Sequence, residues 1–477
     1  MLLVGVVIII VFFSLIRIYL KFKKKYKYWE KRGVKVIQPI FPFGNVLSIF
    51  TKKIGITQCI LEWYESLDAK VIGLYAIDDP ILLVKDPDIM KNILVKDFNH
   101  FTDRGVYIDK REPTAGHLWK LPGPKWKPLR TKMSPCFSIK KLKMIFSNLL
   151  HVGKEMGKSL EDECKKTEGI INVEKLCQCF TVDIVSSSIF GVETNSFLDK
   201  DNMYLKMEKE LVKSDSRIRM IKAALQIIVP NFFDIFSFIK FETVKQSALS
   251  FVYEMVRTVI EFREKTGTVR NDIMQLLIQL KNGRKVDDND DECETSGGSE
   301  ICLTMDEVVA QAYTYFFVGS ETASSALAML VYECALNKQI QYQLQDDIDN
   351  GLATSEGKIT YEAILEMKYL NMVISGLHWD AKYYPNPSKF DPGRFSKENS
   401  SKRHPCVYLP FGEGPRNCIG KRLGYFMLAV GTINIFKKFR VSVCERTEAP
   451  EINPLAYTIK LSKPLFLKIS PRENEEN

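Results

Sequence analysis

The chain has 477 residues, 45% hydrophobic and 26% charged, with a formal net charge of +9. That length can bury a sizeable core, and so modest a charge gives no nucleic-acid signal. The eleven cysteines are odd in number and lack CxxC spacing, and only five histidines occur; this argues against a disulfide framework and a histidine-built metal site, and favours reduced thiols facing the cytosol.

Residues 1–20 are apolar apart from Gly5, Ser14 and Arg17, close to the roughly 20 residues that cross a bilayer. A cleaved signal peptide is the competing reading. Against it, no small-x-small site follows, and the positive charge (Lys21, Lys23, Lys24, Lys25, Lys27) comes after the apolar run. We expect a signal anchor at 1–20, with the lysines holding the following body in the cytosol. A basic linker at 21–45, stiffened by Pro39, Pro42 and Gly44, leads to a body spanning 46–477.

Val71–Tyr75 and Ile81–Val84, separated by Asp78-Asp79-Pro80, predict a hairpin. Helical periodicity then dominates from Pro87 to about Asn350, broken by an acidic, Ser/Gly-rich surface loop at Asp287–Glu300. Thr304-Met305-Asp306-Glu307 fits a capping box opening a long apolar helix to about Leu336. Val441–Val443 and Leu465–Ile469 read as strands. The fold class is mainly α with a small β portion.

The sharpest signal is Pro410-Phe411-Gly412-Glu413-Gly414-Pro415-Arg416-Asn417-Cys418-Ile419-Gly420. Glycines permit a tight loop with backbone amides aimed at a sulfur, and the apolar stripe from Leu423 to Phe436 predicts a helix beginning just after Cys418. A thiol at a helix N-terminus is expected to have a lowered pKa. Phe411 can shield the sulfur from water, and Arg416 can bind an anionic carboxylate. The competing reading is a buried structural cysteine beside a turn.

This segment resembles the haem-binding signature FGxGxRxCxG of the cytochrome P450 family. The resemblance implies a helix-rich P450 fold, haem b (iron protoporphyrin IX), and Cys418 as the axial iron ligand. Other motifs stand in the family's order. Trp126-Lys127-Pro128-Leu129-Arg130 is similar to WxxxR, placing Trp126 and Arg130 on one helical face toward haem propionates. Val318-Gly319-Ser320-Glu321-Thr322 resembles [AG]Gx[DE]T, in which Gly319 leaves room for dioxygen and Glu321 and Thr322 relay protons. Val318 departs from the usual small residue. Phe390-Asp391-Pro392-Gly393-Arg394-Phe395 is similar to FxPxRF, whose arginine ties the loop before the cysteine to the core. Phe190-Gly191-Val192-Glu193, expected to be packing, and the text around Trp126 resemble the insect microsomal, family-six-like branch.

One element of the family pattern is missing. The only ExxR spacings, Glu254…Arg257 and Glu413…Arg416, lie outside the stretch between the oxygen motif and the cysteine loop. At Val373-Ile374-Ser375-Gly376-Leu377-His378-Trp379-Asp380 a segment of a few dozen residues, with the ExxR helix and several strands, is absent between Ser375 and Leu377. The resemblance implies a monooxygenase inserting one oxygen atom from O2 into a small apolar substrate (xenobiotic, or endogenous lipid or hormone). Its electrons come from NADPH through NADPH–cytochrome P450 reductase, docking near Lys132, Lys140, Lys141, Lys143, Lys421 and Arg422, or through cytochrome b5. The expected location is the endoplasmic reticulum membrane, with no nucleic-acid partner. Two other readings stand beside it: a non-catalytic or misfolded isoform lacking the ExxR core, and a membrane-anchored structural protein.

Overall fold

The computed structural model describes residues 2–51, 56–108, 111–212, 246–270, 272–282, 302–375, 383–387, 389–453 and 460–472. The Asp287–Glu300 loop and the Gly376–Lys382 side of the Ser375/Leu377 junction fall outside them.

The N-terminal apolar run is one helix, Leu2–Lys25, ending five residues beyond the expected anchor, so the basic run forms its last turn. Its most apolar stretch has a mean hydropathy of 2.7 and is not buried by the body, which fits a membrane anchor. The helix end is tied to the domain it precedes. Lys25 pairs with Asp78 at 2.6 Å, the Tyr26 hydroxyl donates to the Ile77 carbonyl at 2.9 Å, and Trp29 Nε1 donates to the Leu74 carbonyl at 3.2 Å.

The expected hairpin forms as β1 (Val71–Ala76) and β2 (Asp79–Val84), antiparallel, with Val71 opposite Val84. The linker covers the other edge of β1: Gly73 N donates to the Lys35 carbonyl, Ile37 N to Gly73, and Asn45 N to Tyr75. Unpaired β1 backbone groups, which would invite edge-to-edge pairing, are thereby satisfied within the chain.

The core is built around the helix Met305–Leu336, whose bounds match the sequence expectation. Its capping box is complete: the Thr304 hydroxyl accepts from Glu307 N at 3.2 Å, and Thr304 N donates to Glu307 Oε2 at 3.0 Å. This helix packs most extensively on Val173–Phe190, which is buried nearly all round, as an apolar helix at the centre of a bundle must be. Phe190 is 1% exposed, Val192 packs against the core and Gly191 caps the helix in the left-handed region, so Phe190–Val192 are packed, whereas Glu193 is exposed.

The helix Ile139–Lys166 buries Leu142, Phe146, Leu149, Val152, Met156 and Leu160, a 3–4 spacing that presents one apolar stripe. That stripe receives the helix Lys421–Phe436. A Cβ on Gly153 would meet Asn434 Nδ2 at 2.5 Å, and one on Gly431 would meet Leu327 Cδ2 at 2.5 Å and Phe180 Cε1 at 3.1 Å. Lys421–Phe436 is therefore seated against three helices at contact distance, which fixes the loop preceding it.

The C-terminal strands form as β4 (Phe439–Ser442) and β5 (Phe466–Pro471). They share an antiparallel sheet, β3-β5-β4, with β3 (Ile170–Asn172), a strand not expected from sequence.

Candidate haem-thiolate site

Cys418 ends a loop that the backbone closes on itself: Cys418 N donates to the Phe411 carbonyl at 2.8 Å, and Asn417 N to Gly414 at 3.0 Å. Gly412 and Gly414 hold φ of +70° and +73°. A Cβ on Gly414 would stand 1.9 Å from the Leu94 carbonyl oxygen, so both backbone angle and space require glycine there. The helix starts at Lys421 with Gly420 as its N-cap, and the Gly420 amide donates to the sulfur.

Cys418 is exposed, yet the surrounding loop desolvates the thiol. Burial raises its pKa above the ordinary thiol value, although the Gly420 N–H, Arg130 and Lys421 all act to lower it. The expected depression at the helix N-terminus is thus outweighed: three favourable interactions do not offset the loss of water around the anion. A metal cation would supply the missing stabilisation.

Phe411 sets its ring along the first turn of the helix: its Cε1 lies 3.7 Å from where a Gly424 Cβ would sit, and Lys421 Nζ is 6.0 Å from the ring centre.

Trp126 and Arg130 lie on the helix Gly123–Met133. Trp126 is 4% exposed, edge-on to Phe98, with the Arg416 guanidinium over its ring at 4.3 Å. Arg130 Nη2 donates to Asn417 Oδ1 at 2.9 Å, locking this helix to the cysteine loop. Arg416 donates to the carbonyls of Thr102 at 2.9 Å and Leu121 at 2.7 Å. Its Nη1 is buried without a hydrogen-bond partner.

A third arginine, not singled out from the sequence, joins them. Arg104 Nη2 donates to the Arg416 carbonyl at 3.1 Å, and its guanidinium covers Trp119 at 4.9 Å. Burial and the neighbouring cations Arg104 and Arg130 bring Arg416 down to about 10, with Asp103 the opposing charge. Arg104 and Arg130 are lowered as well, by burial first. Three guanidiniums in mutual electrostatic reach beside an exposed thiol form a site for a dianionic group.

The oxygen motif lies mid-helix. Most of Met305–Leu336 is buried, but Val318 (42% exposed) and Thr322, four residues apart on one face, are accessible. The Thr322 hydroxyl donates to the Val318 carbonyl at 2.7 Å, leaving its lone pairs open. Gly319 points elsewhere: a Cβ there would press on Val185 Cγ2 at 3.3 Å, so the space it leaves lies on the Val173–Phe190 side. Glu321 is 2% exposed, turned about 100° from Thr322 by the helix geometry. It meets Glu208, not the accessible face.

Arg394 has a different set of partners from those expected. It donates to the carbonyls of Pro385 at 2.8 Å and Asn386 at 2.6 Å, lies 3.9 Å from Asp391, and keeps Nη1 buried without a hydrogen bond. It ties its own turn together; among the described residues it makes no ion pair with a second helix.

These residues fit an iron porphyrin: a thiol short of stabilisation for its anion, an orphaned guanidinium nitrogen among three arginines, and an accessible helix face bearing a hydroxyl.

The family model for cytochrome P450 matches residues 35–376 and 374–469, two stretches that meet at the Ser375/Leu377 junction. A probable cytochrome P450 6d4 of Drosophila melanogaster is 32% identical over 474 residues, covering 89% of this chain and 91% of that protein. Cytochrome P450 6B7 of Helicoverpa armigera is 30% identical over 502 residues, covering 96% and 97%. Cytochrome P450 6k1 of Blattella germanica is 30% identical over 479 residues, covering 91% and 90%.

Proposed function

Because the chain belongs to the cytochrome P450 family of haem monooxygenases, we propose that it inserts one oxygen atom from O2 into a small apolar substrate. Xenobiotics and endogenous lipids or hormones are the candidate classes. NADPH is the electron source, through NADPH–cytochrome P450 reductase or cytochrome b5. The carrying observation is the accessible Cys418 sulfur at the head of Lys421–Phe436, beside Arg104, Arg130 and Arg416.

When bound, the haem supplies oxygen activation, with thiolate donation favouring O–O cleavage. The chain's own residues do the rest. Cys418 would ligate the iron as thiolate, held by the Gly420 amide. Arg416 Nη1, Arg130 and Arg104 would hold the propionates, with Trp126 beneath Arg416. Phe411 limits water at the sulfur side. Thr322 presents a hydroxyl that accepts and passes protons on the accessible face, with Glu321 on the adjoining buried face as the acid; Gly319 lets the helix pack closely on Val185, away from that face. Val318 narrows the same face.

The apolar helix and its basic last turn support an anchor in the endoplasmic reticulum membrane, with residues 46–477 as the catalytic domain in the cytosol. The basic patch of Lys132, Lys140, Lys141, Lys143, Lys421 and Arg422 supports reductase docking; within it Lys143 also pairs with Glu362 at 2.7 Å. A reduced carbon-monoxide difference spectrum tests the site: the Soret band of thiolate ligation is expected, and its absence from folded, haem-loaded protein refutes Cys418 as ligand.

The second reading is an isoform of low activity. The two-part family match at 374–376 and the orphaned Arg394 nitrogen favour it, since both follow if the ExxR segment is absent.

A further inference from the structure

Glu208, on the helix Met203–Val212, is fully buried, and its carboxyl lies within hydrogen-bonding reach of Glu321, which is 2% exposed. Gln178 Nε2 donates to Glu208 Oε2, and Lys460 is a nearby positive charge. One oxygen of each carboxyl, Glu208 Oε1 and Glu321 Oε1, has no other hydrogen-bond partner. Two carboxylates in contact and out of water cannot both stay ionised; the arrangement is stable when they hold one proton between them. Burial and the adjoining Glu321 raise Glu208 well above the carboxylate range, against the weaker pull of Lys460 and Gln178.

We propose that Glu208 shares one proton with Glu321 and that this buried carboxyl pair feeds Thr322 its protons. The proposal deepens the monooxygenase reading and rests on it for the direction of proton flow. Glu321 directly precedes Thr322, so the pair adjoins, about 100° round the central helix, the residue whose hydroxyl is on its accessible face. On the other side stands Glu174, half-buried and in electrostatic contact with both Glu321 and Lys460, which gives the pair a route toward solvent. In the step, the O–H bond on Glu321 breaks and its proton passes, through a water drawn from solvent, to Thr322 Oγ1, while the Thr322 O–H bond, which points to the Val318 carbonyl at rest, breaks and releases that hydroxyl's own proton on the accessible face. Glu208 hands its next proton, taken from solvent on the Glu174 side, to Glu321. The pair's net charge is unchanged, and no electrons move.

Glu208 touches no reacting atom and is a positioning residue, so its test needs readouts that a structural role leaves alone. The first is infrared difference spectroscopy of the whole chain at neutral pH, against the double variant E208Q/E321Q. A protonated-carboxyl stretch that shifts in deuterium oxide is expected in the wild type and lost in the double variant; its absence from the wild type overturns the shared proton. The second is turnover of E208Q, which keeps the side chain's shape and its bond to Gln178. A fall of about tenfold or more, with oxygen diverted to peroxide and an increased solvent isotope effect, is expected. E208Q must first show an unchanged reduced carbon-monoxide spectrum. A normal spectrum with wild-type coupling overturns the relay, whereas loss of the thiolate band in the wild type itself overturns the haem-thiolate reading and leaves the infrared result to decide the pair.

Discussion

Acidification provides a test of how the site is held. His117 is 9% exposed, and its Nδ1 is buried without a hydrogen-bond partner. Burial, with a contribution from Lys120, lowers it to about 3. An unfolded histidine titrates near 6.5, so the unfolded chain binds more protons between these values. Folding stability is then full above about pH 6.5 and is lost as pH falls toward 3. The whole interval is worth at most about 5 kcal/mol, and the portion lost between about pH 7.5 and pH 5 is about 2 kcal/mol. That is a large share of a typical 5–15 kcal/mol.

The loss should fall on the haem site. The His117 carbonyl accepts from Lys120 N and Leu121 N, Leu118 N donates to Gln311 Oε1 at 2.8 Å on the central helix, and the Leu121 carbonyl accepts from Arg416. Urea unfolding of wild type and His117→Gln at the two pH values isolates the effect, because all other titrating groups are common to both. The wild type should lose about 2 kcal/mol more than the variant. Equal losses would refute the reasoning, and would mean that His117 relaxes into water without disturbing the turn.

Cys418→Ser should abolish the thiolate Soret band, since no second cysteine stands in an equivalent loop; a retained band rules out the assignment. Removing residues 1–21 should release the protein from membranes without altering its haem spectrum, as judged by carbonate extraction. The cut falls before Phe22 because a longer truncation, such as 1–28, would also take Lys25 and Tyr26, which bond to Asp78 and Ile77. Inserting the family's segment between Ser375 and Leu377 should raise haem content and turnover. A buried arginine that loses its ion pair costs about 3–5 kcal/mol; two carbonyls recover part of this at Arg394, and equal haem content in the two forms would show that they recover it all.

The sequence by itself determined the elements whose causes are local. The Thr304–Glu307 capping box and a largely apolar stretch without proline set the central helix from Met305 to Leu336. The glycines at 412 and 414 wrote the cysteine loop, because only that residue accepts its backbone angles and the approach of Leu94. Two short β-rich runs either side of Asp78-Asp79-Pro80 set the hairpin. The tertiary structure decided whatever depended on distant neighbours. Ile170–Asn172 is a strand only because β5 pairs with it, and three residues between long helices carry no period to read. Arg104 and Glu208 have no motif, and become site residues through Arg416 and Glu321, which lie 312 and 113 positions away in the chain. Gly319 sits against Val185 and not on the accessible face. The Cys418 thiol shifts upward because desolvation, a property of everything packed around the sulfur, exceeds the helix-end and cationic interactions that its immediate sequence announces.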